Sequence, residues 1–174
     1  MNPVSSIAEP PAVAPPHALV PFDLRLQYGD RSLEEWVWQA VDCMIQDLPR
    51  LRSAPSSGPA SRQLLALLTF AYATGLYASE DIEHALRHGR LPSSLLPPVP
   101  VTSAQLQAFR RANRPWIEQA LASLLRRLAE DTGLWINAAN LRIETDRQNL
   151  DLACIMAARR AVELATLMDS ALCD

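Results

Sequence analysis

The chain has 174 residues, 49% of them hydrophobic, 20% charged and 6% aromatic, with a net charge of −3. This is enough apolar mass for one packed domain, and the balance of charge excludes a protein whose whole surface binds a polyanion. Five glycines against fourteen prolines, without alternating runs of β-branched residues, point away from sheet and towards an all-α body with Pro-marked linkers.

Residues 1–21, MNPVSSIAEPPAVAPPHALVP, are Ala/Pro-rich and read as a disordered or polyproline-like tail. A first helix is expected from Ser32, where SLEE has the form of a capping box with Glu35 reaching back, to about Leu48. Trp36, Val37, Ala40, Val41, Met44, Ile45 and Leu48 share one face of it. After a Pro/Ser linker, a second helix from Ser61 to about Leu76 is apolar all round, as expected of a helix in the middle of a bundle. The third, SEDIEHALRH, has Ser79 as its expected cap, Glu80 and Asp81 at its positive end, and Arg87 and His88 before a Gly89 stop. LPSSLLPPVPV reads as irregular. A fourth helix opens at Thr102 with Gln105 in the second capping position, and kinks or restarts at Pro115 before running to Gly133. Leu106, Phe109, Ile117, Leu121, Leu124, Leu125 and Leu128 are its expected core positions; Arg110, Arg111 and Arg114 are assigned to its polar face. An amphipathic helix over about 148–172, starting as early as Asn137, completes the chain.

Charge is distributed in blocks. Residues 1–54 carry a net −3, residues 55–86 a net −2, residues 87–127 a net +6 and residues 128–174 a net −4. All sixteen basic residues are Arg, a bias that a GC-rich genome also produces. A compact basic block between acidic flanks is what a nucleic acid would sense locally. Helices two and three, joined by the short turn TGLYAS, have the connectivity of a helix-turn-helix-like pair. The competing reading of the block is a solvated face paired with the acidic flanks.

Other candidates point to structure more than chemistry. His84 and His88 stand at i and i+4, but without an intervening Glu or a third ligand at a recognisable spacing they read as helix-end histidines, so no metal site is expected. Tyr72 and Tyr77 could stack on bases but read rather as packing residues with their hydroxyls at the rim, and Trp36, Trp38, Trp116 and Trp135 as core anchors or a partner surface. Asp146 and Asp151 read as a wet helix face. Cys43, Cys154 and Cys173 are odd in number and lack metal spacing, which fits a reduced, cytoplasmic chain. Neither a signal-peptide pattern nor a membrane span is evident, and no cofactor or small-molecule motif occurs.

The stretches LLALLTFAYATGLYASEDIEHALRHG and VTSAQLQAFRRANRPWIEQALASLL resemble the N-terminal helical domain of bacterial insertion-sequence transposases with a DDE, RNase H-like nuclease. Leu64, Leu65, Leu67, Leu68, Tyr72, Gly75, Ser79, Ile82, Glu83, Ala85, Thr102, Phe109, Arg110, Arg111 and Asn113 carry the resemblance, which spans about residues 19–135. The family continues with an Asp-Gly-Thr bearing its first catalytic carboxylate, whereas GLWINAANLRIETDRQNLDL here has none. Two-metal phosphoryl transfer needs converging carboxylates, so the expectation is a protein that is not an enzyme.

The resemblance implies an orthogonal bundle of about five helices: a tail (1–21), a transposase N-terminal-like domain (22–135) and a C-terminal helix packing on it (136–174). It implies a domain that once helped recognise transposon-end DNA or assemble the transposase; together with the basic block, the reading is a transposase-derived DNA-binding or regulatory protein, with double-stranded DNA contacted by Arg87, Arg90, Arg110, Arg111, Asn113 and Arg114. The alternative is a protein-interaction module that binds itself or a full-length transposase. The two readings differ in whether residues 87–127 present their arginines on one open face or tie them to the acidic flanks.

Overall fold

The computed structural model describes Leu24 and residues 29–46, 59–132 and 147–171. Among these the chain is all-helical: α1 (Asp30–Gln46), α2 (Pro59–Ala73), α3 (Ser79–Arg87), one 3-10 turn (Ser93–Leu95), α4 (Ser103–Thr132) and α5 (Arg147–Ala171). The tail, the 47–58 linker, Trp135 and the stretch holding Asp146 lie outside the described residues, as does the proposed early start of the last helix at Asn137.

α2 is the central element. Every residue from Leu65 to Thr74 is buried, as the all-round apolar pattern requires. The two threonine hydroxyls in this run cost little, because Thr69 Oγ1 donates to the Leu65 carbonyl (2.8 Å) and Thr74 Oγ1 to the Phe70 carbonyl (3.0 Å). α1 lays Leu33, Val37, Ala40, Val41 and Met44 against this core. α4 packs against the other four helices.

α2 and α3 end alike. Leu76 N–H donates to the Ala71 carbonyl (2.8 Å) and Gly75 N–H to that of Tyr72 (3.3 Å), with Gly75 at φ +78°. Arg90 N–H and Gly89 N–H repeat the pattern onto Ala85 and Leu86, with Gly89 at φ +60°. These are Schellman closures, and they need a left-handed residue that glycine supplies at no steric cost. α2 therefore stops at Ala73 rather than near Leu76.

The start of α1 and the cap of α3 depart from the sequence reading. α1 begins at Asp30, two residues before Ser32, and its first turn closes by Leu33 N–H donating to the Gly29 carbonyl (3.3 Å). Glu35 accepts from the Gln39 amide (3.3 Å). The residue preceding α3 is Ala78, which makes no side-chain cap, and Ser79 lies inside the helix. At α4 the expected capping box is present: Thr102 N–H donates to Gln105 Oε1 (3.0 Å) and Gln105 N–H to Thr102 Oγ1 (3.4 Å). α4 breaks locally at Asn113 (φ −122°, ψ 20°), two residues before Pro115, where a ring without an N–H interrupts the ladder. The stretch read as irregular contains the 3-10 turn and buries Leu91 and Leu95.

Candidate nucleic-acid interface

A row of ion pairs fixes how α4 and α5 meet. Arg126 pairs with Asp151 (2.6 Å), Arg159 with Glu118 (3.6 Å), Arg114 with Glu163 (3.1 Å), and Arg110 with Asp169. As positions fall along α4 they rise along α5, so the two helices run antiparallel. Arg114 also donates to Glu118 one turn on (2.7 Å).

The last rung is buried, with Arg110 3% and Asp169 6% exposed. The Arg110 guanidinium donates to Asp169 Oδ2, to the Tyr72 hydroxyl (3.3 Å) and to Ser79 Oγ (3.4 Å). Asp169 also accepts the Ser79 backbone N–H on Oδ1 (2.8 Å) and the Ser79 hydroxyl on Oδ2 (2.7 Å). A carboxylate of α5 thus satisfies the N-terminus of α3, where the helix dipole favours a negative charge. Burial opposes the charge on Arg110, but Tyr72 and Asp169 outweigh it and hold the guanidinium protonated. Tyr72 and Tyr77 are buried and stacked with centroids 5.8 Å apart, Tyr77 donating to the Tyr72 carbonyl (3.2 Å). Burial raises both phenols, Tyr77 to about 12.

A second carboxylate does the same for α4. Glu83 of α3 accepts the Ser103 N–H (2.7 Å) and pairs with Arg87. The Ser103 bond, aided by Arg87, holds the Glu83 carboxyl below its usual range. Together the Ser79–Arg110 and Glu83–Ser103 contacts run α3 antiparallel to the first half of α4.

Arg110 therefore faces inward, not outward on a polar face as the sequence reading had it. The buried stripe of α4 runs Leu106, Arg110, Asn113, Ile117. Asn113 is also buried, its amide donating to the Phe109 carbonyl (3.0 Å). Phe109, assigned to the core, is only partly buried and packs at its edge. Arg87 is exposed but paired with Glu83, and Arg114 is shared between two glutamates. Arg90 and Arg111 are exposed and form no ion pair with a described residue. Arg90 follows the end of α3 and Arg111 lies in the first third of α4. The exposed face of α3 carries Glu80 and Asp81 in its first turn, where a recognition helix would approach bases and phosphates.

Asp169 was missed by sequence reasoning, yet a signal existed. Cys154, Ala158, Val162, Ala165 and Asp169 form one buried stripe of α5, so Asp169 stands at a core position, just as Arg110 does on α4.

A groove of about 420 Å³ opens between α2, residues 97–101 and α4. Leu64, Pro97, Val99, Val101 and Phe109 line it, with Gln105 and Asn113 its polar groups, so it suits an apolar side chain rather than acid–base chemistry. Trp38 is held by its indole N–H on Ser94 Oγ (3.1 Å) and by the Arg62 guanidinium 4.5 Å above its ring. Trp36 and Trp116 are partly buried against the core. Among the described residues no group of three or more His, Cys, Asp or Glu could hold a metal ion, and no helix is long and apolar enough to cross a membrane. Compared with known proteins, the chain matches no family model, no curated protein and no solved structure.

Proposed function

We propose that this chain is a non-catalytic helical module that works by protein association, through the outer face of α5 and with a second copy of itself as partner. The observation that supports this reading over DNA binding is the ion-pair ladder. Arg110, Arg114 and Arg126 of the basic block are engaged by acids of α5 and Arg87 by its own helix, while Arg90, Arg111 and Arg127 are exposed. A phosphate backbone needs several free cations on one face, each neutralised phosphate adding to the salt dependence of binding.

α5 meanwhile exposes large apolar side chains at both ends: Leu152 (56%), Ile155 and Met156 (57%) near its start, Leu167 (66%) and Met168 near its finish, with Arg159, Arg160 and Glu163 between. Two copies paired antiparallel across a two-fold axis would lay the apolar start of one helix on the apolar finish of the other. That pattern is self-complementary, as an isologous interface requires. The non-catalytic part of the reading rests on the missing Asp-Gly-Thr, and a transposase ancestry on the resemblance described above.

The test is sedimentation velocity across a concentration series for the wild type, Leu152→Glu and Leu167→Glu. A monomer–dimer equilibrium weakened by either substitution supports the reading. A wild type that stays monomeric rejects it. Anisotropy with duplex DNA at roughly 50 and 200 mM salt completes the comparison. Salt-sensitive binding lost in Arg90→Ala/Arg111→Ala would favour DNA instead.

A further inference from the structure

The last turn of α3 holds a feature that the association reading does not use. His84 and His88 are both exposed, and their rings stack face to face with centroids 4.0 Å apart and planes at 27°. His88 grips the carbonyl of His84 twice, through its backbone N–H (3.1 Å) and its ring Nδ1 (2.8 Å). A carbonyl only accepts, so Nδ1 of His88 is the protonated ring nitrogen. In the neutral ring this orients His88 and leaves Nε2 as the lone pair. Metal-binding histidines are commonly prepared in this way, one ring nitrogen donating to a carbonyl so that the other can coordinate.

We propose that His84 and His88 form a bidentate imidazole site for a divalent transition-metal cation, with Cu²⁺ bound more tightly than Zn²⁺ and the remaining positions filled by water. Two nitrogens on one tetrahedral metal at about 2.0–2.1 Å lie roughly 3.3 Å apart, and rings with centroids 4.0 Å apart are close enough to share one ion once they turn out of the stack and their Nε2 lone pairs converge. Imidazole donors select copper, nickel and zinc over magnesium and calcium, and copper stands highest in affinity order. The surrounding charge favours a cation. The site lies at the negative end of the α3 dipole, and Glu80 and Asp81 are exposed one turn towards the helix start on the same side. Of the neighbouring cations, Arg87 is drawn away by its pair with Glu83, which faces α4 through Ser103, and Arg90 is exposed beyond the helix end. Nothing in this site depends on α5, so it stands or falls apart from the association reading.

The experiment is isothermal titration of the full chain with CuSO4, ZnCl2 and MgCl2, alongside thermal unfolding in each salt. The wild type, His84→Ala, His88→Ala and Cys43→Ser are compared; the last removes the exposed free thiol among the described residues. Both histidines are exposed, so their replacement leaves the core intact, which circular dichroism checks. The expected result is one equivalent of Cu²⁺ and, more weakly, of Zn²⁺, with a rise in Tm. Both effects are lost in either histidine variant and kept in Cys43→Ser, and Mg²⁺ has none. No binding by the wild type, equal binding by the histidine variants, or loss of binding in Cys43→Ser would each overturn the proposal.

Discussion

Ser79 and Asp169 lie 90 positions apart and share two hydrogen bonds, the Ser79 N–H to Oδ1 at 2.8 Å and its hydroxyl to Oδ2 at 2.7 Å. The first turn of α3 is thus terminated by a side chain of α5, and the same carboxylate neutralises buried Arg110. Asp169→Ala leaves a buried guanidinium without its counter-charge and α3 without its anion. Removing one partner of a buried pair costs about 3–5 kcal/mol. Urea denaturation should show that loss, and Arg110→Met/Asp169→Leu should recover much of it. A double variant as unstable as the sum of the two single ones would mean that the pair is not coupled.

Gly75 tests the end of α2. At φ +78° nothing lies within 4 Å of where a Cβ would stand, so Gly75→Ala meets a backbone penalty and no clash. The cost should be about 1 kcal/mol, with Gly75→Asn less affected because Asn tolerates the left-handed region. A neutral Gly75→Ala in thermal unfolding would contradict the Schellman closure.

Alkaline pH should unfold the chain through its tyrosines. Tyr77 titrates near 12 when folded against about 10 when unfolded. The raised value means that the stability is fully present below pH 10 and drains away as pH climbs to 12, by up to about 2–3 kcal/mol at 1.36 kcal/mol per unit. Tyrosinate absorbance and helical circular dichroism should change together in that window. Tyr77→Phe should be less stable at neutral pH, by about 1 kcal/mol for the lost hydrogen bond, and less sensitive to alkali.

Acid acts at the other junction. Glu83 titrates below its ordinary range because Ser103 and Arg87 hold its charged form. Its contribution is present above the unfolded carboxylate range and is lost as pH falls through the depressed folded value. Glu83→Gln should flatten the acid limb of the pH–stability curve, while Glu80→Gln, with its exposed side chain, should not.

The parts of the fold written in local sequence were the legible ones. α2 announces itself because no face of it is polar, and the Thr102–Gln105 box marks the start of α4 within four residues. The start of α1 and the cap of α3 were misread because a Ser in a plausible capping position says nothing of what else can reach those amides. At α3 the anion comes from residue 169, and no window around Ser79 contains it. Arg110 was read as surface because Arg seldom lies inside, although its spacing from Leu106 and Ile117 marks the buried stripe. The candidate interface was legible as a cluster of charge and illegible as a geometry, since pairing to the carboxylates of the C-terminal helix depends on how α4 and α5 meet.

The Asp169 cap also imposes an order on biogenesis. A ribosome adding about 5–20 residues per second makes Ser79 some seconds before Asp169 exists. Through that interval the nascent α3 carries open amides at its first turn and Arg110 has no counter-charge, so the short helix has little to hold it. Completion of the C-terminal helix is then the step that sets α3 in place, and a ribosome stalled before residue 169 would leave a chain whose central helices can pack while α3 still frays.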